Sequence, residues 1–269
     1  SHVAFDPIAR YCDYYPEAPG GKPGGRSMDS RPFDGARLGP ELRSLRRPHP
    51  QSQILGLFGI TAAQAQTLLA GSLFARMWLL FRCFFGYLMR WPKRKRWGRD
   101  TRLTTGNALC ARLRRSLMDR NVDLWLESPC RDLVVEDDRV VGVEVERAGT
   151  PLRIRADWGV MLAAGGFERS QALRDRFHPF ESDTAWNAGN QANEGDGILM
   201  GERVGGDLRL MDQLWWTPVT QVPRSDFAWV LVVEKNLPGS IFVNAQGRRF
   251  MNEAEPYLDA GKHMVGQGP

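Results

Sequence analysis

The segment 153–168, RIRADWGVMLAAGGFE, constrains the possible folds of this chain more than any other. Within it, 159–163 is a short β-rich run that ends in Ala164-Gly165-Gly166, and a helix-like segment follows. Small residues at the end of a strand let a large flat ligand approach the backbone, because no Cβ stands in the way. The common dinucleotide fingerprint G-x-G-x-x-G followed by an acidic residue does not occur in the sequence. The pattern therefore favours a ligand-binding turn between a strand and a helix.

The segment before this turn predicts an α/β layer that carries a β-meander. Residues 107–119 place Leu109, Leu113 and Leu117 on one helical face, with arginines opposite, and Thr104 or Thr105 can cap that helix. Strands are predicted at 122–126 and at 153–163. Between them, strands at 133–135 and 140–145 are predicted to form a hairpin.

The remaining segments predict helices at 170–177 and 195–204, separated by a polar loop. Proline and glycine punctuate 1–53 and exclude long helices there. From Trp215 the sequence changes to adjacent tryptophans, several prolines and short strands, which predicts a domain boundary near Pro218.

Residues 54–91 are mostly apolar, and the basic segment WPKRKRWGR follows directly. Arginines interrupt every run of about eighteen apolar residues, so the sequence does not predict a transmembrane span. An apolar helix followed by a cationic, tryptophan-flanked cluster suits a membrane interface, and we therefore consider a peripheral membrane contact through 67–99. The alternative is a pair of helices that pack on the body of the protein or on a partner.

The basic character of the chain is local. Residues 90–102 contain seven basic side chains and one acid, whereas the net charge of the whole chain is +5, so the rest sums to about −1. A single basic run without an aromatic readout motif does not indicate a nucleic-acid partner. The four cysteines form no C-x-x-C pair, which fits a reducing, cytoplasmic compartment. The four histidines have no metal-ligand spacing, so no metal site is predicted.

Several further segments carry a resemblance to a known family. They are DYYPEAPGG at 13–21, TGNAL at 105–109, CRDL at 130–133, and NAQGRRFMNE at 244–253 followed by Pro256-Tyr257. In this order, and together with the AAGG turn, they resemble the FAD-dependent 3-ketosteroid dehydrogenase and fumarate reductase flavoprotein family. The DYYPE and E-x-PY segments are typical of the steroid branch.

The resemblance implies an α/β fold with an α+β insert. It is a Rossmann-like FAD-binding domain, incomplete in this chain, into which a smaller substrate domain is inserted. Residues 1–217 would be part of the FAD-binding domain, with an apolar helical insert at 54–100, and 218–269 would begin the substrate domain. We therefore expect this chain to be an internal fragment of a longer FAD-dependent oxidoreductase.

The implied reaction is a dehydrogenation beside a ketone, with a steroid-like apolar ketone as substrate and a separate electron acceptor. A base removes the proton α to the carbonyl, and hydride leaves the neighbouring carbon for flavin N5. A tyrosine suits an apolar pocket as this base, provided that neighbours stabilise its phenolate. By resemblance, Tyr257 is the base, Tyr14 is a second catalytic tyrosine and Tyr15 is its fallback. The alternative for all three is a structural role, as a turn anchor or as part of a packed aromatic loop.

The resemblance also implies residues that contact FAD through backbone groups or a helix start. They are Gly106, Asn107, Ala108, Arg131, Asp132, Ala164, Gly165, Gly166 and Asp196. Ordinary structural roles remain open for these residues, and Asp196 in particular could simply cap the helix that follows it.

Two other functions remain open at this stage. The same scaffold could act on a dicarboxylate or reduce an enone, although no His and Arg cluster for carboxylates is visible. The chain could also be an inactive remnant that binds a membrane surface or a partner through 54–102.

Overall fold

The computed structural model describes residues 3–223, 228–231, 234–236 and 239–267. They belong to two compact units, Ser1–Leu124 and Trp125–Pro269, called the N-terminal and C-terminal units below. The domain boundary near Pro218 stays a prediction.

The core of the N-terminal unit forms around helix α4 (Thr105–Asp119), which confirms the predicted helix. Its buried alanines pack against apolar side chains from the loop-rich segment before it. The buried cluster consists of Phe33, Leu38, Leu42, Leu103, Ala108 and Ala111. A kinked 3-10 helix, Gly35–Arg43, supplies Leu38 and Leu42, so 1–53 contains no long α-helix, as its prolines and glycines predict.

Three helices occupy the apolar and basic segment of this unit, which confirms the helices predicted there. They are α1 (Ala62–Ala70), α2 (Leu73–Met89) and α3 (Trp91–Trp97). Thr61 and Gln64 form a capping box at the start of α1, and the Ser72 hydroxyl accepts from the Ala75 N–H at the start of α2. Within the described residues, no helix is both long and apolar enough to cross a membrane.

The strands of the N-terminal unit are short and pair antiparallel. The pairs are β1 (Phe5–Pro7) with β2 (Met28–Ser30), β3 (Phe33–Asp34) with β6 (Arg102–Leu103), and β4 (Gln53–Ile54) with β5 (Phe58–Gly59). The pairing of β3 with β6 brings the loop-rich segment to the residues that immediately precede α4.

The C-terminal unit opens with an antiparallel meander of β7 (Cys130–Glu136), β8 (Arg139–Arg147) and β9 (Thr150–Arg155). The hairpin turn uses Asp137 and Asp138, both at positive φ (48° and 57°), as a tight turn between twisted strands requires. A Cβ at Gly142 would lie 2.2 Å from the Ile154 carbonyl oxygen, so glycine permits the close approach of β8 to β9. The predicted hairpin is confirmed.

Two predicted strands are wrong. Residues 122–126 form no strand, because the chain leaves α4 in a turn: the N–H groups of Asn121 and Val122 donate back to its last carbonyls, with Asn121 at φ +53°. The strand predicted at 153–163 ends at Arg155, and 159–163 pairs with no strand of the described residues. A hydrophobic run becomes a strand only where a neighbouring strand satisfies its backbone groups.

The rest of the C-terminal unit contains the two predicted helices, the short strands predicted after Trp215, and a final helix that was not predicted. Its elements are α5 (Gln171–Phe177), α6 (Asp196–Arg203), β10 (Val219–Gln221), β11 (Ala228–Val230) and α7 (Tyr257–Val265). Helices α5 and α6 confirm the predictions for 170–177 and 195–204. The chain thus mixes helices and strands. All strand pairs in the described part are antiparallel, so the Rossmann-like sheet and the inserted substrate domain stay predictions.

Candidate functional site

The Ala164-Gly165-Gly166 turn packs against the loop that leads into α6. Gly165 has φ +87°, and a Cβ there would lie 2.5 Å from the Asn193 Oδ1 atom. The Asn193 side chain donates to Glu168 Oε1 at 2.6 Å. The backbone carbonyl of Asn193 accepts from the Arg169 N–H at 3.0 Å. The structure therefore brings together two sequence motifs, AAGGFE and ANEGDG, that are separated by a helix and a polar loop.

This turn keeps its backbone accessible. Ala164 and Gly165 are exposed, and no hydrogen bond among the described residues uses the N–H group of Gly165 or Gly166. Behind the turn, a Cβ at Gly197 in the first turn of α6 would lie 3.0 Å from the Ala164 Cβ. Close packing on one side and open amides on the other suit a site for a large planar ligand.

Asp196 does not cap α6, which corrects the structural alternative considered for it. Gly195, at φ +89°, holds the N-cap position, and Asp196 is the first helical residue with an exposed side chain. A Cβ at Gly195 would lie 2.3 Å from Leu173 Cδ1, so glycine is needed to seat the helix start on α5. The contact of Asp196 with a cofactor stays a prediction.

The start of α4 in the N-terminal unit offers a second set of backbone donors. Thr104 holds the N-cap position, but its side chain makes no capping hydrogen bond. The N–H groups of Gly106 and Asn107 lie in the first turn, where a helix supplies no internal partner. Ala108 differs, because its N–H donates to the Thr104 carbonyl at 3.2 Å and its side chain is fully buried. Ala108 thus packs behind this turn, and its contact with a cofactor stays a prediction.

A cavity of about 500 Å³ opens beside this helix start. Thr104 and Asn107 line it, together with Arg47, Arg99 and Arg102. The Asn107 Oδ1 atom is buried and has no hydrogen-bond partner among the described residues, whereas its Nδ2 donates to the Arg46 carbonyl at 3.4 Å. A buried acceptor of this kind costs free energy unless a donor from a ligand or water meets it.

Two of these arginines are held by carbonyl groups. Arg102 donates to the Gly59 carbonyl at 2.7 Å and to Gln64 Oε1 at 3.1 Å, and Arg99 donates to the carbonyls of Leu42 and Leu45. Burial lowers the pKa of both guanidinium groups, and the neighbouring charge of Arg47 adds to the effect at Arg99. Both remain cations, so the cavity has a positive wall that suits an anionic ligand such as a phosphate.

Arg131 and Asp132 lie on β7 of the C-terminal unit, and both side chains form ion pairs. Arg131 pairs with Glu146 at 2.9 Å, and Asp132 pairs with Arg203 of α6 at 3.1 Å. The hydrogen bond from Arg203 lowers the pKa of Asp132, and the Leu133 N–H adds to this. The first pair joins β7 to β8, and the second ties the meander to α6. Any cofactor contact at this position would therefore use backbone groups, as the resemblance implies.

Tyr257 is the first residue of α7 and is half-buried. The indole N–H of Trp215 donates to its hydroxyl oxygen at 3.2 Å. Trp216 packs against the same helix, since a Cβ at Gly261 would lie 2.4 Å from the Trp216 Cβ. Sequence reasoning did not assign Trp215 a role, although the tryptophan pair before the predicted boundary was the available signal.

The loop before Tyr257 is fixed by buried polar groups. Lys235, only 2% exposed, donates to the carbonyls of Glu253 and Glu255 and to Asn236 Oδ1. Glu253 accepts from the Phe242 N–H at 2.8 Å and pairs with Arg249 at 2.5 Å. These contacts, Arg249 first, lower the pKa of Glu253 to about 2.

Sequence reasoning missed Lys235. A lone lysine gives no sequence signal of burial, and two of its partners are backbone carbonyl groups, which every residue has.

An aromatic path links the glycine turn to α7 within the C-terminal unit. Ring centroids lie 5.7 Å apart for Phe167 and His178, 5.5 Å for His178 and Phe180, and 4.9 Å for Phe180 and Trp216. Phe167 directly follows the AAGG turn, and Trp216 packs on the helix that Tyr257 begins. Packed side chains thus connect the predicted cofactor turn with the predicted base.

Tyr14 and Tyr15 lie in an exposed loop of the N-terminal unit. Asp13 closes this loop by pairing with Arg26 and by accepting from the Lys22 N–H at 2.9 Å. Neither tyrosine lines the cavity beside α4. The structure therefore does not distinguish the two, and their catalytic role stays a prediction.

The donor sets fit FAD. A dinucleotide needs backbone amides near its phosphates, small residues beside its ring, and partners for ring atoms that donate and accept. In the C-terminal unit, Gly165 and Gly166 supply open amides. In the N-terminal unit, Gly106 and Asn107 supply an uncapped helix start, and the orphaned Asn107 Oδ1 supplies an acceptor. Each set by itself suits a part of such a ligand. For metals the result differs: among the described residues, no group of three or more His, Cys, Asp or Glu side chains could hold an ion.

Comparisons with known proteins identify the family of this chain. Residues 5–269 match the FAD binding domain family. The chain is 39% identical over 276 residues to the 3-oxosteroid 1-dehydrogenase of Mycolicibacterium smegmatis. This match covers 97% of this chain and 46% of that protein. It is also 30% identical over 265 residues to the 4-oxocyclohex-2-ene-1-carboxylate 5-dehydrogenase of Sinomonas cyclohexanicum, covering 94% of this chain and 44% of that protein.

A solved structure matches at the level of the fold. The crystal structure of 3-ketosteroid Δ1-dehydrogenase from Sterolibacterium denitrificans, in complex with 1,4-androstadiene-3,17-dione, superposes with a TM-score of 0.93 at 39% identity. The match covers 98% of this chain and 48% of that one, so the chain spans about half the length of the relatives it matches. From these matches and its own glycine turn, the chain belongs to the FAD-binding domain family that includes the 3-oxosteroid 1-dehydrogenases.

Proposed function

We propose that the complete protein is an FAD-dependent dehydrogenase that oxidises the CH–CH bond beside the ketone of a steroid-like apolar substrate. The observation that carries this proposal is the hydrogen bond from the Trp215 indole N–H to the Tyr257 hydroxyl oxygen, at 3.2 Å, within an aromatic setting. The similarity to steroid dehydrogenases over nearly the whole chain supports it.

Tyr257 acts as the base in this account. Its phenolate removes the proton from the carbon next to the carbonyl. The resulting phenol must release this proton before the next turnover. The Trp215 N–H can remain bonded to the oxygen throughout. Because hydrogen bonds to a charged acceptor are roughly twice as strong as neutral ones, this contact favours the phenolate.

The hydrogen bonds of Lys235 and Glu253 in the loop before α7 fix the position of Tyr257. Lys235 holds the carbonyls of residues 253 and 255, and Glu253 holds the Phe242 N–H, so the chain enters α7 in one arrangement. Fixed placement of a base matters because a reacting group that is misplaced by about 1 Å can lose about a hundredfold in rate.

Bound FAD would accept the hydride from the carbon neighbouring the deprotonated one, which completes the C=C bond. The backbone of Ala164, Gly165 and Gly166 would approach the cofactor, and Gly106 and Asn107 would donate to its polar atoms. Tyr14, with Tyr15 as fallback, would assist proton transfer at the ketone side. A separate acceptor would then remove the two electrons. Cytoplasmic localisation and peripheral membrane contact through 67–99 belong to the same proposal.

The test uses the full-length gene product. After desalting, its visible spectrum should show oxidised-flavin bands. A 3-oxosteroid with a saturated 1,2 bond should then reduce an electron-accepting dye and yield the corresponding unsaturated ketone. Turnover of a dicarboxylate, or enone reduction with a reduced dye and no steroid oxidation, would instead establish the fumarate-reductase-like or enone-reducing alternative. A protein that retains no flavin would contradict the proposal.

A further inference from the structure

Helix α2 of the N-terminal unit presents an apolar face that no described residue of this unit covers. Its half-buried positions, including Leu79, Cys83 and Tyr87, recur every three or four residues and form a single stripe, and the helix contains no fully buried residue. Large apolar side chains occupy most of the exposed remainder, and Phe74, for example, is 79% exposed. They include Phe74, Met77, Trp78, Phe81, Phe85 and Leu88.

Part of this face is an ordered row of rings. The rings of Trp78 and Phe81 stack at 5.8 Å with 24° between their planes, and those of Phe81 and Phe85 stack at 6.0 Å with 18°. A helix of 17 residues is about 25 Å long, and the rings follow its axis. An extended apolar ridge of this size marks an interaction surface rather than a chance exposure.

A cationic helix follows directly. In α3, Lys93, Lys95 and Arg96 are exposed, and Trp91, also exposed, stands where α2 ends. Arg94 lies over the Tyr87 ring at 3.3 Å, which ties α3 back to α2. Of the seven basic side chains of 90–102, Arg90 pairs with Asp100 at 2.8 Å and Lys93 pairs with Asp34 at 2.6 Å, whereas Lys95 and Arg96 are exposed cations. The surface therefore combines a long apolar ridge, an aromatic residue at its end and an adjoining positive charge.

We propose that α1–α3 form an interfacial docking element for an anionic phospholipid surface. The exposed face of α2 enters the boundary between headgroups and acyl chains, Trp91 lies at headgroup level, and the cations of α3 meet anionic headgroups. A second copy of the chain would cover the apolar ridge but would leave the positive charge without a partner. An anionic lipid surface satisfies both features.

This inference deepens the peripheral membrane contact of the proposed function and rests on that part of it, whereas it does not depend on the dehydrogenase activity. If the proposed function is also correct, the docking element would hold the enzyme where an apolar ketone is most concentrated, because such a molecule partitions into lipid.

Sedimentation with lipid vesicles tests the proposal, on this chain and on the full-length protein. The vesicles are phosphatidylcholine alone, or phosphatidylcholine with about one-third phosphatidylglycerol, whose anionic surface attracts juxtamembrane cations. Binding should be much stronger to the anionic vesicles. It should weaken between about 0.1 M and about 1 M salt, because the Debye length falls from about 10 Å to about 3 Å.

Two variants separate the apolar from the charged contribution. Phe81→Ser with Phe85→Ser should lower the partition coefficient about tenfold or more at every salt concentration, because two exposed rings no longer enter the lipid. Lys95→Glu with Arg96→Glu should remove the preference for anionic vesicles. Trp158→Ser and Arg139→Glu are the matched controls, since both residues are exposed in the other unit. They should bind as wild type does.

Three results would overturn the proposal. One is the absence of binding to anionic vesicles by either form of the protein. Another is equal binding by wild type and by both variants. The third is a dimer in solution that Phe81→Ser with Phe85→Ser dissociates while vesicles fail to bind, which would assign the face to a second copy. Circular dichroism measures whether each variant is folded. If the phenylalanine variant unfolds, the loss of preference for anionic vesicles in Lys95→Glu with Arg96→Glu tests the proposal. Flavin content is measured separately, so failure of docking and failure of the proposed function are distinguishable.

Discussion

Replacement of Lys235 by methionine tests how the loop before Tyr257 is held. Lys235 is 2% exposed, and its ammonium group donates to Asn236 Oδ1 at 3.0 Å, to the Glu253 carbonyl at 2.7 Å and to the Glu255 carbonyl. Methionine matches the length of the side chain but donates nothing. The substitution therefore leaves two backbone carbonyls without their donor.

The expected loss follows from these contacts. Each unsatisfied buried carbonyl costs about 1–3 kcal/mol, which gives about 2–6 kcal/mol for the pair. The variant also removes the cost of burying an ammonium, the same burial that lowers the pKa of Lys235. We therefore expect Lys235→Met to lower the free energy of unfolding by about 2–4 kcal/mol, which moves the urea midpoint down by about 1–2 M.

Urea denaturation followed by tryptophan fluorescence measures this change. Hydrogen exchange should also show earlier exchange of the amides at 253–265 in the variant. The matched control is Lys262→Met, on α7, whose ammonium is exposed and lies 4.0 Å from Asp259. That change should cost less than about 0.5 kcal/mol. If the two variants unfold at the same urea concentration, Lys235 does not hold this loop and the reasoning fails.

Three further predictions concern the site. Gly165→Ala should lower the amount of FAD that the full-length protein retains after desalting, because the new Cβ would lie 2.5 Å from the Asn193 Oδ1 atom. Gly205→Ala, at nearly the same φ but in open space, should cost only the backbone strain of about 1 kcal/mol and leave FAD retention unchanged. Glu253 has a pKa of about 2 when folded, against an ordinary 4.5. Its stabilisation is therefore complete above pH 4.5 and lost as the pH falls through about 2, so Glu253→Gln should flatten the acid dependence of the urea midpoint. Trp215→Phe should lower kcat of the full-length enzyme about tenfold without loss of flavin, because the phenolate of Tyr257 loses its donor.

Each of these predictions has a result that contradicts it. Equal flavin retention in Gly165→Ala and Gly205→Ala would remove the glycine turn from the cofactor site. An unchanged slope of the urea midpoint between about pH 5 and about pH 3 in the Glu253 variant would show that another carboxylate governs acid stability. A normal kcat in the Trp215 variant, with the full-length fold intact, would assign that indole to packing alone.

Local patterns of the sequence predict much of this fold. The leucine spacing of α4, the hairpin around Asp137 and the start of α5 after Ser170 are all confirmed, because each depends on contacts between residues near in sequence. The strand predicted at 122–126 and the part of the strand 153–163 beyond Arg155 are wrong, because a strand exists only where another strand pairs with it. The hydrophobic pattern of a segment does not contain that information.

The candidate site divides in the same way. Glycine and alanine in the AAGG turn can be identified from the sequence, since small residues at the end of an apolar run have few other uses. The contact between Gly165 and Asn193, the donor to Tyr257 and the backbone carbonyl partners of Lys235 involve residues 18 to 42 positions apart in the chain. Chain folding alone creates such contacts, and no short pattern predicts them.

Anaerobic flavin reduction by a 3-oxosteroid in the full-length protein, compared between wild type and Tyr257→Phe, measures the role of Tyr257 without a second substrate. We expect the steroid to bleach the flavin absorbance of the wild type. The variant, with the same flavin content, should bleach at least about a thousandfold more slowly, because it has no base to remove the α-proton. Bleaching of the variant at a rate close to that of the wild type would contradict the assignment of Tyr257 as the base.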